Sequence, residues 1–195
     1  MNQMSTTAQI TRQNIIDAFW QLYCKKTIEK ITVKEVCQVA GYNRSTFYVY
    51  FKDVYEILEV IEENTVTAED FETSILKQVY QYHASQKHII MYHLLQFFEN
   101  NKKYLPVLLS ENGDPKFRQK ILKKLRPIVF ASFRELTDEE IAKADYIMEY
   151  QSAAVLNTIA KWYNNGKDIP LKDFIDLLIS ITTNGIQSEL LKYRK

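Results

Sequence analysis

Glycine and proline are scarce in this sequence, four of each among 195 residues. Folds rich in β-structure or loops draw on those two residues for their turns, so the scarcity argues against them. Abundant Leu, Ile, Lys, Glu and Gln points to helices instead. A run of about 18 uncharged apolar residues is also missing, and no membrane span is expected. The opening stretch MNQMSTTAQI has neither the basic start nor the apolar core of a signal peptide, which makes the cytoplasm the expected location. Two cysteines, Cys24 and Cys37, are too few for a disulfide framework and read as small hydrophobes. A glycine-rich phosphate loop, a nucleophile elbow and an HExxH metal motif are all absent. Neither catalytic residues nor a cofactor or metal is therefore expected.

What is present is an uneven charge. The chain carries +1 overall, but residues 1–52 hold seven Lys/Arg against three Asp/Glu, giving +4. Residues 53–112 hold four against ten, and residues 113–195 fourteen against eleven. Phosphate contact depends on the local sign, so the amino-terminal part is the candidate nucleic-acid face.

That part contains TVKEVCQVAGYNRSTFYVYF, Thr32 to Phe51. Thr32 is an N-cap candidate, and Glu35 three residues on completes a capping box. Val33, Val36, Cys37 and Ala40 follow at helical spacing. Gly41 stands where that helix must end in a sharp turn, a conformation with positive φ that glycine takes without strain. Asn43 is a second N-cap, and Arg44 to Tyr50 form a second short helix with Phe47 facing inward. Two short helices about a glycine-bearing turn are the plan of a helix-turn-helix, whose second helix enters the DNA major groove. Arg44 suits guanine or a phosphate, and Ser45 and Thr46 suit base edges or a thymine methyl.

The pieces ITVKEVCQVAG, NRSTFYVYF and DVYEIL resemble the amino-terminal domain of the TetR family of bacterial transcription regulators, over roughly Ile10 to Leu58. The pattern NRSTFYxYFxDxYxxL is similar to a branch that includes activators of dihydroxyacetone-kinase operons. The resemblance implies phosphate contacts from Tyr48 and Tyr50, flanked by Thr32 and Lys52, with Arg12 reaching the DNA backbone. Two positions depart from the family: Val54 stands where a lysine is usual, and Tyr42 replaces a small aliphatic residue. The implied architecture is all-α, a helix-turn-helix domain over 1–52 followed by an effector-binding and dimerisation domain over 53–195.

Upstream, helix 1 is expected from about Ala8 to Cys24 with Ile15, Ala18, Phe19 and Leu22 on one face. A fourth helix starts near Asp53, with Glu56 three residues on. Further amphipathic helices are expected over Phe71–Tyr82 and Gln86–Asn100, bending near Ala84–Ser85. Asn101 to Ser110 reads as a short helix or turn. Pro115 opens a helix running to about Phe133. Thr137 to Glu140 is a capping box for a helix to Asn165 closed by Gly166, and Pro170 opens the last helix, to Tyr193.

By the resemblance, the middle helices hold a small-molecule effector and the last two pair with a second copy. Among the crowded aromatics of the middle, Tyr92, Phe97, Tyr104, Phe117 and Phe130 are the candidate ligand-lining residues, the alternative being ordinary core. Small and apolar residues including Ala153, Ala154, Ile159 and Ile179 suit a four-helix homodimer interface over 138–165 and 170–193. His83, His88 and His93 are spaced by five, which puts no two on one helical face as a metal pair would need. The expected function is thus a ligand-responsive repressor that binds a near-palindromic DNA operator as a homodimer. The alternative is a TetR-like co-activator or protein-binding regulator that does not read DNA.

Overall fold

All the regular structure among the described residues is helical. The computed structural model describes residues 6–65, 87–111, 113–130 and 135–185. The expected Phe71–Tyr82 helix, the Ala84–Ser85 bend, His83, Phe133 and the stretch from Ile186 to Tyr193 lie outside them. The chain forms two compact units, Met1–Thr65 and Val66–Lys195.

In the first unit α1 is Thr6–Tyr23, α2 Val33–Ala40, α3 Arg44–Tyr50 and α4 Val54–Thr65, with a 3₁₀ turn at Ile28–Lys30. The period of 3.6 puts Ile15, Ile16, Phe19, Trp20 and Tyr23 of α1 inside. Against α1 pack α2, which buries Val36 and Cys37, and α4, which buries Ile57, Leu58 and Ile61. Phe19 and Tyr23 stack at 5.5 Å in this core. Each large side chain so buried contributes about 1.5–3 kcal/mol. Because α4 packs on α1, the first compact unit runs to Thr65.

In the second unit α5 is Lys87–Asn100, α6 Leu105–Leu108, α7 Pro115–Phe130, α8 Asp138–Asn164 and α9 Leu171–Asn184. The Thr137–Glu140 capping box is formed, so α8 starts where its sequence says. Gly166, at φ 71°, follows its end, and Lys167 continues in the left-handed region at φ 64°. That sharp reversal brings the start of α9 beside the end of α8, and α9 packs on α5. Trp162 and Phe174 stack there at 4.7 Å, nearly parallel, with the Phe98 ring of α5 edge-on to both. The Trp162 indole N–H donates to the Ile169 carbonyl at 2.7 Å, so the ring is buried without losing its hydrogen bond. Beside it, burial and the Glu99 carboxylate push the Tyr163 phenol up to about 12.

Between α7 and α8, Arg126 grips Asp145 with two hydrogen bonds of 2.7 and 2.9 Å. Further along, Arg118 donates to Asn157 and to the Leu109 carbonyl. Along α8 runs a bare apolar stripe. Tyr146, Ile147 and Tyr150 are 80, 62 and 65% exposed, and Ala153 and Ala154 continue the same stripe at offsets of three and four. Ile159 and Ile179, expected on that surface, instead face the core of their own unit, because they fall on the opposite side of their helices.

Candidate nucleic-acid interface

The interface is built from the cap of α2, the turn, and α3. Thr32 Oγ1 accepts the Glu35 amide, while Glu35 Oε2 accepts the Thr32 amide at 3.0 Å and its hydroxyl at 2.9 Å. The other oxygen of Glu35 takes Lys26 Nζ at 2.7 Å. These hydrogen bonds, Lys26 first, hold the Glu35 carboxyl down at about 2. Thr32 is exposed, but its hydroxyl proton is already committed to Glu35.

The second helix then leaves the turn. Gly41 has φ 74° and ψ 23°, the left-handed conformation, and its amide donates to the Cys37 carbonyl. Tyr42, a departure from the resemblance, has a structural use: its Oη accepts Asn14 Nδ2 of α1 at 3.1 Å. Asn43 caps α3 by accepting the Thr46 amide at 2.8 Å. At the far end Arg12 of α1 lies 5.0 Å over the Phe51 ring. Arg12, expected to reach DNA backbone, is half-buried against that ring. The cysteine at the helix crossing, Cys37, is buried, and its thiol is pushed up by that burial despite the nearby Arg44 charge.

On α3 itself one side is core and the other bare. Phe47 is fully buried, meeting Phe51 at 6.1 Å, whereas Arg44, Ser45 and Tyr48 are exposed. Thr46 and Tyr50 are half-buried. Lys52, beyond the helix, is exposed while its backbone amide donates to Glu56 at 2.6 Å. Val54, where the resemblance expects a lysine, is 5% exposed and part of the core, so a cation there would be desolvated.

Val49, at 75%, is more exposed than any other large apolar side chain among the described residues of this unit, and sequence reasoning passed over it. Its signal was available: Val49 lies four residues from Ser45 and so on the same side of the helix. An isopropyl group there is suited to a thymine methyl. Lys34, exposed in the first turn of α2, was also missed.

The five candidate ligand-lining residues stand in different surroundings. Tyr92 is 59% exposed and meets His93 edge-on; Phe117 is 1% exposed. Phe97 is half-buried beside Phe98, Tyr104 lies under Lys103, and Phe130 under Arg126.

A short helix with a buried aromatic on one side and Arg, Ser and Tyr on the other matches the sequence expectation for α3. The carboxyl-terminal part decides the family independently. Residues 85–184, just over half the chain, match the TetR-type model described as the transcriptional regulator C-terminal region. The chain belongs to the TetR family of transcription regulators. The members of this family and the solved structures below are regulators, not enzymes. A TetR transcriptional regulator from Streptococcus agalactiae 2603V is 20% identical, with a TM-score of 0.60 over 90% of this chain and 95% of that one. The fatty acid degradation regulator FadR from Bacillus halodurans is 14% identical, with a TM-score of 0.60 over 96% and 99%. The dihydroxyacetone kinase operon activator DhaS is 20% identical over 94% and 96%, at a TM-score of 0.49. At such identities the likeness is one of fold. No curated protein matches this TetR-family chain in sequence. Among the described residues no helix is long and apolar enough to cross a membrane.

Proposed function

We propose that this TetR-family chain is a ligand-responsive repressor that binds a near-palindromic operator as a homodimer, with α3 in the major groove. The observation that carries the reading is the two-sidedness of α3. Phe47 anchors it to the core while Arg44, Ser45 and Tyr48 stand clear of the protein. A helix that buries its own polar side cannot read base edges. In this reading Arg44, Ser45 and Thr46 meet bases, Tyr48, Tyr50 and Lys52 meet phosphates, and Thr32 flanks them as an acceptor or through water. Val49 adds an apolar contact.

The bare stripe Tyr146, Ile147, Tyr150, Ala153 and Ala154 is the face on which we place the second copy. Contiguous exposed apolar side chains mark interaction sites, and two small alanines let helices approach closely. A twofold pair presents two copies of α3, matching a palindrome. An effector seated among the helices of the second unit shifts operator affinity by its difference in affinity for two dimer conformations. The residues placed at that site are Tyr92, Phe97, Tyr104, Phe117 and Phe130.

The test is a mobility-shift assay on promoter DNA of the neighbouring genes at low salt, with sedimentation of the free protein. Retarded DNA that is lost with Arg44→Ala, and a dimer that dissociates with Tyr150→Glu, are expected. A monomer that shifts no promoter fragment sinks the reading.

A further inference from the structure

The side-chain oxygen of Asn43 sits against three donors. The Thr46 amide can only donate, so the Asn43 atom 2.8 Å from it is the carbonyl oxygen and not the nitrogen. The same oxygen lies 2.6 Å from Ser45 Oγ and 3.0 Å from Thr46 Oγ1. That oxygen bears no hydrogen and has two lone pairs, which the Thr46 amide and the nearer hydroxyl, Ser45, fill. Ser45 thus spends its single proton on it, and Thr46 only shares the contact. A ligand laid against the Ser45 hydroxyl therefore meets lone pairs and no donor. Ser45, exposed and at the shorter distance, is the better placed of the two.

We propose that Asn43 sets the base preference of α3 by fixing Ser45, and more loosely Thr46, as hydrogen-bond acceptors. This rests on the reading of α3 as a major-groove helix. On the strand they face, the groups that donate in that groove are the N6 amino group of adenine and the N4 amino group of cytosine. A hydroxyl free to rotate would serve guanine and thymine equally well, because it both donates and accepts. Arg44, a donor only, takes the opposite share and suits guanine. Adjacent side chains thus select opposite patterns, and the residue that makes them differ touches no base.

Duplexes bound by the full-length protein are enriched from a random library for the wild type and for Ser45→Ala, Asn43→Asp and Asn43→Gly. Glycine caps helices nearly as well as asparagine, so Asn43→Gly frees the hydroxyls with little effect on α3. The base pair whose preference vanishes in Ser45→Ala is the one Ser45 reads. There the wild type and Asn43→Asp are expected to prefer the same base pair, and Asn43→Gly to tolerate other pairs as well. Replacing the adenine of that pair by purine, or its cytosine by 2-pyrimidinone, removes the amino group alone. It should weaken wild-type binding about five-fold and Asn43→Gly binding much less.

Wild-type binding that is not weakened when that amino group is removed overturns the proposal. So does an unchanged preference in Asn43→Gly, or Ser45→Ala that alters no position. A wild-type protein that enriches no sequence fails the DNA-reading function itself, a result distinct from all three.

Discussion

The guanidinium of Arg12 lies 5.0 Å from the centre of the Phe51 ring, and two residues on Asn14 donates to Tyr42 Oη at 3.1 Å. Tyr42 comes just before α3 and Phe51 just after it. Both ends of the candidate reading helix are thus tied to α1, and a seven-residue helix too short to hold itself in water is held by its neighbours.

Arg12→Ala should lower the stability of the first unit by about 0.5–1 kcal/mol, the range for a partly exposed cation over an aromatic ring. Arg12→Lys should keep part of that. The urea midpoint followed by Trp20 fluorescence measures both. An unchanged midpoint in Arg12→Ala means the ring contact holds nothing.

Glu35 contributes acid sensitivity to the first unit. Its folded carboxyl is depressed from 4.5 to about 2, so its contribution is present above 4.5 and is lost as pH falls towards 2. Glu35→Gln should flatten the pH dependence of the urea midpoint within that window and change little of it above pH 5. Lys26→Met should flatten it in part, since Lys26 is the largest cause of the shift.

Two glycines should respond to alanine for different reasons. Gly41→Ala meets no atom within 4 Å but forces φ 74° on a residue with a Cβ, costing about 1–2 kcal/mol. Gly113→Ala places a Cβ 2.1 Å from the Leu108 carbonyl oxygen, which backbone movement must relieve at about 1–3 kcal/mol. Thermal unfolding ranks them. Operator affinity at equal folded fraction should fall for Gly41→Ala alone.

Trp162→Ala should cost roughly 3–5 kcal/mol, since it empties the stack with Phe174 and Phe98. Trp162→Phe keeps a ring but orphans the Ile169 carbonyl, and should cost about 1–3 kcal/mol. Equal losses for the two variants would mean that the hydrogen bond, not the ring, holds α8 to α9.

Arg44→Ala should weaken operator binding by about 1–3 kcal/mol and relax one base position. Tyr48→Phe should weaken all sequences alike, because a phosphate carries no sequence information. Titration of the selected site and of a scrambled duplex separates the two. A Tyr48→Phe variant that changes sequence preference would move Tyr48 from backbone to base.

The helix-turn-helix was legible because its signals are short-ranged. Thr32 with Glu35, Gly41, Asn43, Thr137 with Glu140 and Gly166 each act within about four residues, and all stand at the helix ends their types imply. Val49 was legible too, by its four-residue offset from Ser45. The use of Tyr42 was not, since its partner Asn14 is 28 residues away. Nor was the placing of Arg12, which a sequence can equally assign to DNA or to a ring.

What this chain's sequence determined alone is where its helices start and stop and which side of each is apolar. Capping and periodicity are decided by neighbours along the backbone. Which cation meets which ring, that Val54 turns inward, that Ile159 and Ile179 are core while Tyr146 and Tyr150 are bare, was decided only by packing. Those outcomes depend on how helices rotate about their axes against one another, and that rotation is set by contacts between residues far apart in the chain.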